Sequence, residues 1–284
     1  MFRSLIFVPG NNARFVEKAK TLTADIICLD LEDSVPANEK SSARKIIADA
    51  LAHKEDYQSS VYMRTNSLES GLVAEDLAAA VRAGLDGVVV PKVNDDREIM
   101  DVVKQISSLE SASRPSVNIM PSIETAKGVV NAYRIATADD RINCLVFGVF
   151  DFLHDMKLGY DENDPTSYSY ARAKIPVDAR AAGIEAIDAI WQKIEDLDGL
   201  ARDATVARLL GYSGKSIIHP SQIEPVHNVF RPSIDQIEWA RKVVLALGEA
   251  MDKGSGRGAV SLEGKMIDAV HYKQAKDILK AVDE

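Results

Sequence analysis

Short runs of apolar and β-branched residues alternate with longer amphipathic stretches along most of this chain of 284 residues. Runs that are apolar throughout, rather than at every second position, are typical of strands buried on both faces of a parallel sheet. We predict six such strands, at Ser4–Val8, Ile26–Leu29, Ser60–Met63, Gly87–Val90, Val117–Ile123 and Cys144–Phe150, and two more from weaker runs at Ala186–Ile190 and Lys215–Ile218.

The segments that follow these strands carry apolar stripes at the helical spacing of 3.6 residues. They predict helices at Asn12–Leu22, Asn38–Leu51, Leu72–Ala83, Asp96–Leu109, Ala126–Ala136, Tyr170–Ala182, Leu197–Leu210 and Ser221–Val229. Eight strand–helix units in about 230 residues match the size of a (β/α)8 barrel. We therefore predict an α/β fold, a (β/α)8 TIM barrel, with a doubly wound open sheet as the rival. No G-x-G-x-x-G follows the first strand, which weakens the dinucleotide-binding version of that rival.

The chain continues beyond the eight strand–helix units of the predicted barrel. Two more helices are predicted, at Ile234–Met251 and Gly264–Ala281, joined by the glycine-rich stretch 254–258. Because eight units already close a barrel, we assign residues 1–232 to the barrel and residues 233–284 to a C-terminal helical extension. We expect this extension to pack on a neighbouring subunit or to lie over the mouth of the active site.

Composition and charge argue against several classes of protein. The net charge of −9 provides no basic face for nucleic acid, although a local basic pocket can exist on an acidic protein. The two cysteines, Cys28 and Cys144, both lie in apolar runs, which disfavours a disulfide framework and fits a reducing compartment. No stretch approaches the ~18 consecutive apolar residues of a membrane span, and the first apolar run is too short for a signal peptide. We expect a cytoplasmic protein that binds neither nucleic acid nor membranes.

Polar residues stand at the ends of the predicted strands, where barrel enzymes carry their chemistry. Glu124 and Asp151 end two successive strands, so their carboxylates could converge. Two carboxylates, completed by water and substrate oxygens, are a common way of holding Mg²⁺. The alternative is that each acid caps the helix that follows it.

The second predicted strand is followed by an acidic turn, and the third is followed by an arginine. Asp30, Glu32 and Asp33 either support water bound to a metal or form a solvated turn that caps the next helix. Arg64 has two interpretations. Its planar guanidinium either binds a carboxylate or enolate oxygen of a substrate, or it forms a structural ion pair with the acidic turn.

Basic residues near the predicted barrel mouth also have two interpretations. Arg14 and Lys18 are four residues apart on one face of the first helix, so they either bind phosphate or face solvent. His219 ends the eighth strand, where a structural role is favoured.

A series of motifs from Arg3 to Asp268 resembles the citrate lyase β-subunit-like group of the HpcH/HpaI aldolase superfamily, which includes malyl-CoA and citramalyl-CoA lyases. The motifs are RSLIFVPGNNARFVEKA, DIICLDLEDSV, VYMRTNS, GVVVPKV, PSIETAKGV, FGVFDF, YARAKIPVDARAAGIEAIDAIW, GKSIIHPSQI and LEGKMID. The resemblance implies a (β/α)8 barrel, Mg²⁺, a coenzyme A (CoA) thioester substrate and a homo-oligomer, either a trimer or a hexamer.

The resemblance also implies roles for residues of the barrel. The metal ligands of the family match Glu124 and Asp151, and its substrate-binding arginine matches Arg64. Asp33 would support metal-bound water.

Further roles that the resemblance implies concern CoA and a second subunit. The residues expected to face CoA are Arg14 and Lys18, with Lys40 and Arg44 as further candidates. Asp268 is expected to enter the active site of a neighbouring subunit, where it would exchange a proton with the substrate. As a general acid it would need a raised pKa, which burial by the last helix would supply.

These roles lead to a retro-Claisen hypothesis, in which a 3-hydroxy-3-carboxyacyl-CoA is cleaved to acetyl-CoA and an α-keto acid. Citramalyl-CoA is favoured slightly over malyl-CoA as the substrate, and a malyl-CoA thioesterase is possible on the same site. The main alternative is a citrate lyase β subunit that acts on a carrier-bound citryl thioester within a lyase complex, because Asp155-Met156 after FGVFDF resembles that group. A non-catalytic assembly barrel and a hydroxypyruvate-type aldolase with a histidine base are weaker alternatives.

Overall fold

The computed structural model describes residues 2–110, 116–161, 164–252 and 259–283. The chain divides into two compact units, Met1–His227 and Asn228–Glu284. The glycine-rich stretch 254–258, predicted to join two helices, lies outside the described residues. Among the residues described, no helix is both long and apolar enough to cross a membrane.

The first unit contains a closed barrel of eight parallel strands that follow one another in chain order. The strands are β1 (Ser4–Pro9), β2 (Ile26–Asp30), β3 (Ser60–Arg64), β4 (Gly87–Val90), β5 (Asn118–Ile123), β6 (Cys144–Phe147), β7 (Glu185–Asp188) and β8 (Gly214–Ile217). The barrel closes because β1 pairs with β8, with Ile6 opposite Ile217. The (β/α)8 prediction is confirmed, and the open-sheet rival is wrong.

Helices follow the strands around the barrel. They are α1 (Ala13–Ala19), α2 (Lys40–Leu51), α3 (Val73–Ala80), α4 (Asp96–Leu109), α5 (Ala126–Ala136), α6 (Val149–Asp155), α7 (Ser169–Ala181), α8 (Leu197–Leu210) and α9 (Ile223–Phe230). The short helix α6 was not predicted. The apolar run in FGVFDF suggests a longer strand, but β6 stops at Phe147 and Gly148 begins the helix as its N-cap.

Apolar side chains from the strands fill the barrel interior. Leu5, Ile26, Cys28, Tyr62, Val89, Met120, Cys144, Val146 and Ile187 form one buried cluster. Full burial of a large apolar side chain contributes about 1.5–3 kcal/mol relative to exposure, so this cluster is a principal source of stability. Gly87 makes space for it, because a β-carbon there would lie 2.2 Å from the ring of Tyr62. Both cysteines are free and buried.

A buried ion network joins β7, β8 and two helices. Lys215 of β8 is fully buried and its ammonium lies 2.6 Å from Asp188 Oδ2. Arg172 pairs with Asp188 and also with Asp203, and Lys215 pairs with Asp203 as well. Buried charges persist when they are paired in this way. Asp188, the last residue of β7, is therefore a structural residue.

The second unit is a helix pair joined by a hairpin. It contains α10 (Ile234–Asp252), β9 (Ala259–Leu262), β10 (Lys265–Asp268) and α11 (Ala269–Asp283). The predicted helix Gly264–Ala281 is wrong in its first turn, where the chain forms β10. Glu263 and Gly264 have φ of 49° and 78°, and positive φ at both central residues is typical of the two-residue hairpin turn.

Candidate active site

A cavity of about 450 Å³ opens at the carboxyl ends of the barrel strands. This end of a (β/α)8 barrel is where the active sites of such enzymes lie. Its walls combine charged and apolar side chains from most of the strands and the loops after them. The lining residues are Phe7, Pro9, Asp30, Asp33, Ser34, Arg64, Ser122, Glu124, Val146, Phe147, Gly148, Val149, Phe150, Asp151, Ile190, Ser216 and Ile218.

Arg64 is fixed in this cavity by Asp30 on the neighbouring strand. The two residues lie opposite each other in the β2–β3 register, and Nε and Nη2 of Arg64 donate to Oδ1 and Oδ2 of Asp30 at 2.6 and 2.7 Å. Burial favours the neutral form of Asp30, but Arg64 outweighs it and holds the pKa of this carboxyl below its usual value. The guanidinium also lies 4.6 Å from the centre of the Phe7 ring. Arg64 is therefore a rigid cation at the cavity wall.

The acidic turn after β2 continues this network. Nη1 of Arg64 lies 3.2 Å from Oε2 of Glu32, and Nζ of Lys92 donates to Oε1 of Glu32 at 2.8 Å. Lys92 also lies 3.3 Å from Oδ1 of Asp151. Burial raises the pKa of Glu32, and Arg64 and Lys92 act against that rise. Of the two interpretations of Arg64, the ion pair with the acidic turn is present, and its position in the cavity also allows contact with a ligand.

Glu124 follows the end of β5 and is 3% exposed. Its Oε2 has no hydrogen-bond partner among the described residues. Burial, reinforced by the negative charge of Glu32, raises the pKa of Glu124 to about 8. The alternative that Glu124 caps the next helix is wrong, because the side chain of Thr125 accepts the hydrogen bond from the backbone N–H of Gly128 instead. Ser122 and Arg64 act against this rise in pKa, but one oxygen of the buried carboxyl stays without a partner in the described part of the chain.

Asp151 lies in the first turn of α6 rather than at a strand end. This corrects its predicted placement, although its side chain still lines the same cavity as Glu124. The side chain is 38% exposed, so it is the more accessible of the two acids. The short strand β6 and the helix that begins at Gly148 place Asp151 above the barrel.

The oxygen atoms of this cavity fit a hard divalent cation. Glu124 and Asp151 supply carboxylates, and Ser216 Oγ is a further buried oxygen without a partner among the described residues. No group of three or more His, Cys, Asp or Glu arranged to hold a metal occurs in the described part of the chain. An ion here would therefore take its remaining ligands from water or substrate, as Mg²⁺ commonly does.

The predicted CoA-binding residues occupy different surroundings. Arg14 and Lys18 are exposed on α1. The ammonium of Lys40 donates to the backbone carbonyls of Leu31 and Glu32, each at 2.6 Å, and so stabilises the acidic turn.

Arg44 pairs with acids of the neighbouring helix α3. Its Nε donates to buried Asp76 at 2.7 Å and its Nη1 donates to Glu75 at 2.6 Å. Lys40 and Arg44 therefore have partners within the chain. Contact of CoA with these two residues, and with Arg14 and Lys18, stays a prediction.

Asp268 belongs to the second unit, at the junction of β10 and α11. Its Oδ1 accepts from the backbone N–H of Val270 at 3.0 Å and lies 2.8 Å from Nδ1 of His271. The hydrogen bond with His271 lowers the pKa of Asp268. Within a single chain Asp268 therefore lacks the burial and the raised pKa that a general acid would need, and its action in a neighbouring subunit stays a prediction.

His219 is a structural residue, as favoured from the sequence. Its Nδ1 lies 2.7 Å from Ser221 Oγ and accepts from the Ser221 backbone N–H, which caps the turn after β8. Lys92, by contrast, was given no role from the sequence. Its position directly after a strand-end proline was the available signal.

Comparison with known proteins agrees with this geometry. Residues 3–220 match the HpcH/HpaI aldolase/citrate lyase family. Citrate lyase subunit beta of Haemophilus influenzae is 36% identical over 283 residues, which cover 98% of this chain and 96% of that protein. Mitochondrial citramalyl-CoA lyase of Rattus norvegicus is 34% identical over 291 residues, which cover 98% and 85%.

A solved structure shows the same likeness. Protein CitE from Mycobacterium tuberculosis, in complex with magnesium, acetoacetate and coenzyme A, has a TM-score of 0.80 at 28% identity, covering 100% of this chain and 98% of that one. From its sequence and its fold, this chain belongs to the HpcH/HpaI aldolase/citrate lyase family.

Proposed function

We propose that this protein is a Mg²⁺-dependent carbon–carbon lyase that cleaves a 3-hydroxy-3-carboxyacyl-CoA to acetyl-CoA and an α-keto acid. The observation that carries the proposal is the buried carboxyl of Glu124, whose Oε2 has no hydrogen-bond partner among the described residues and which shares one cavity with Asp151 and Arg64. A buried carboxylate oxygen without a partner is costly, and a divalent cation would remove that cost. Relatives that are named citrate lyase and citramalyl-CoA lyase support the same reaction class.

Glu124 and Asp151 would hold the ion, which when bound supplies a Lewis acid for the hydroxyl and carboxylate oxygens of the substrate. Asp30 keeps the guanidinium of Arg64 in place through two hydrogen bonds. A fixed cation of this kind can stabilise negative charge that develops on a thioester oxygen without reorganising during the reaction.

The cleavage step follows a retro-Claisen course. The substrate hydroxyl gives its proton to water in the cavity, the carbon–carbon bond breaks, and the electron pair of that bond passes to the thioester as an enolate while the hydroxyl carbon becomes a keto group. The enolate then takes a proton at carbon to give acetyl-CoA. We assign this proton transfer to Asp268 of a neighbouring chain, on the strength of the resemblance at LEGKMID.

The apolar wall of the cavity favours citramalyl-CoA, which gives pyruvate. Phe7, Val149, Ile190 and Ile218 line the cavity, and they suit the methyl group that distinguishes citramalyl from malyl. A methyl group in such a pocket contributes only ~1–3 kcal/mol, so malyl-CoA remains a second substrate.

A citryl group suits the cavity less well. It carries one more carboxylate, whereas Arg64 is the one cation among the described lining residues and is already paired with Asp30. The β subunit of a citrate lyase complex, acting on a carrier-bound citryl thioester, is the second candidate, because citrate lyase subunits are among the similar relatives. A malyl-CoA thioesterase on the same site is the third.

The assembly and the compartment belong to the same proposal. A homotrimer or homohexamer in the cytoplasm, in which residues 233–284 pack on a neighbouring subunit, would bring Asp268 to a second barrel. The resemblance to the citrate lyase β-subunit-like group is the support for this arrangement.

Purified protein assayed with citramalyl-CoA, malyl-CoA and citryl-CoA, with and without chelator, tests the proposal. We expect citramalyl-CoA to yield acetyl-CoA and pyruvate, with loss of activity in chelator and recovery on adding Mg²⁺. The variant Glu124→Gln should be inactive with all three substrates. Release of free CoA without acetyl-CoA would show a thioesterase instead. Activity that survives chelation would refute the metal-dependent mechanism.

A further inference from the structure

Lys92 has an unusual backbone conformation for its residue type. Its φ is 56°, and the other described non-glycine residues with positive φ, Lys157 and Glu263, lie in tight turns. The left-handed region is unfavourable for a residue with a β-carbon. Such strain persists only where the surrounding structure enforces it, and it is concentrated at functional sites. The strain at Lys92 therefore points to a role for its side chain.

Hydrogen bonds enforce this conformation and tie it to the segment that carries Glu124. The backbone N–H of Val93 donates to the carbonyl of Ser122 at 3.2 Å, and Thr125 Oγ1 donates to Asn94 Oδ1 at 2.7 Å. The side-chain amide of Asn94 donates back to the carbonyl of Lys92 at 3.0 Å. Residues on both sides of Glu124 thus fix the loop after β4.

The side chain of Lys92 connects two acidic elements. Its ammonium donates to Oε1 of Glu32 at 2.8 Å and lies 3.3 Å from Oδ1 of Asp151 and 3.8 Å from Oδ1 of Asp33. Lys92 is not among the residues that line the cavity. The three carboxylates surround the ammonium, which carries only donors, so these acids are its partners.

We propose that Lys92 is a positioning residue that sets the orientation of the Asp151 carboxylate. By engaging Oδ1, the ammonium leaves the other oxygen of Asp151 free to face the cavity. By engaging Glu32 as well, it screens the repulsion between Glu32 and Asp151. Without it, the half-exposed side chain of Asp151 would rotate freely, and binding an ion would require it to be ordered first. The inference rests on the proposed function, since the ion is the one assigned there.

Binding of Mn²⁺ alone, measured by electron paramagnetic resonance without substrate, tests this role. Lys92→Met keeps an unbranched side chain, one atom shorter, but lacks the ammonium. In this variant we expect the affinity for Mn²⁺ to fall about 10–100-fold, the usual effect of losing a group that orients a metal ligand. We expect kcat to fall while KM for the thioester changes little. Lys92→Arg should recover part of the affinity. The matched control is Lys104→Met, at an ion-paired lysine that is 72% exposed on α4, and it should bind Mn²⁺ as the natural protein does.

A second variant covers the case in which Lys92→Met does not fold. Lys92→Gly accepts the positive φ without strain and also lacks the ammonium, so it should show the same loss of affinity. If either variant binds Mn²⁺ as tightly as the natural protein, or more tightly, the positioning role is wrong while the proposed function stands. If the natural protein itself binds no Mn²⁺, the metal-dependent function fails and the positioning role fails with it.

Discussion

Gly148 lies directly against Glu124, since a β-carbon at position 148 would be 2.4 Å from Cγ and 2.8 Å from Cδ of Glu124. Its φ of −108° is open to any residue, so backbone freedom does not explain the glycine. The glycine instead allows the first turn of α6, with Asp151, to approach the buried carboxyl of Glu124. One small residue therefore permits the two predicted metal ligands to share a cavity.

Gly148→Ala should therefore disturb the placement of Glu124 relative to Asp151 and weaken binding of the divalent ion. A contact of 2.4 Å is shorter than real β-carbon contacts, so either the carboxyl or the start of α6 must move. We expect Mn²⁺ affinity and lyase activity to fall at least about 10-fold, the lower limit for disturbing a metal ligand through its neighbour. Isothermal titration with Mn²⁺ and the acetyl-CoA assay measure the two effects.

Gly159→Ala is the matched control, because a β-carbon at that glycine would meet no atom within 4 Å. It should leave both quantities unchanged. An active Gly148→Ala variant with natural Mn²⁺ affinity would show that Glu124 does not hold the ion.

Arg64→Lys should impair turnover although it keeps the positive charge. Lysine cannot reproduce the two parallel hydrogen bonds to Asp30, so the cation would lose its fixed position. We expect kcat/KM to fall ~10²–10³-fold, as for removal of one preorganised electrostatic donor. Arg134→Lys, at an exposed ion pair with Asp96, is the control. Comparable activity in the two variants would show that turnover does not need the guanidinium that Asp30 fixes through two hydrogen bonds.

Asp25 should make the stability of the first unit depend on pH. Burial favours its neutral form, but the side chain and the backbone N–H of Arg3 outweigh this and lower its pKa. A carboxyl with a lowered folded-state pKa stabilises the protein fully above its unfolded pKa of about 3.9. This contribution is lost as the pH falls through the folded-state value.

Asp25→Asn should therefore reduce the free energy of unfolding by about 1.5–3 kcal/mol at pH 7, the range for hydrogen bonds to a charged group. The difference from the natural protein should shrink as the pH falls below 4, in urea titrations at several pH values. Asp101→Asn, at an exposed pair with Lys104, should have little effect at any pH. A difference that stays constant with pH would contradict the role of the charge.

Mixed oligomers should reveal whether Asp268 acts in a neighbouring subunit. Glu124→Gln and Asp268→Asn should each lack activity when pure. Co-expressed with different affinity tags and isolated as hybrids, they should regain part of the natural activity, because some sites then combine an intact Glu124 with an intact Asp268. A fully active Asp268→Asn variant would refute its role in proton transfer, and inactive hybrids would refute its action between chains.

The barrel could be predicted from the sequence because most of its strands are largely apolar, β7 and β8 being the exceptions. Ile26–Leu29 and Gly87–Val90 differ from the observed β2 and β4 by at most one residue. Strands buried on both faces in a parallel sheet are apolar at successive positions, so the pattern can be recognised in a strand without knowing which strands it pairs with. The same holds for α4 and α5, whose predicted and observed bounds agree, since their caps are the local side chains of Asp95 and Thr125.

Two of the errors in the predicted elements have causes in the local sequence. The apolar residues after Phe147 suggested more strand, but Gly148 starts a helix there, and apolar runs of this length do not distinguish the two. The residues from Lys265 to Asp268 form a strand because Glu263-Gly264 makes a hairpin turn. That turn depends on positive φ at a glutamate, which its side chain does not signal.

The sequence by itself determined the barrel, the family and the acids at the strand ends, because periodicity and motif order are properties of the chain alone. Only the tertiary structure decided which charges compensate each other. It paired Asp188 with Lys215 and Arg172, paired Arg64 with Asp30, and left one oxygen of Glu124 without a partner in the part of the chain that the structure describes. These outcomes depend on distances between residues far apart in the chain and on their burial. The distances and the burial are set by how the strands close into a barrel, and no pattern within a short stretch of sequence contains that information.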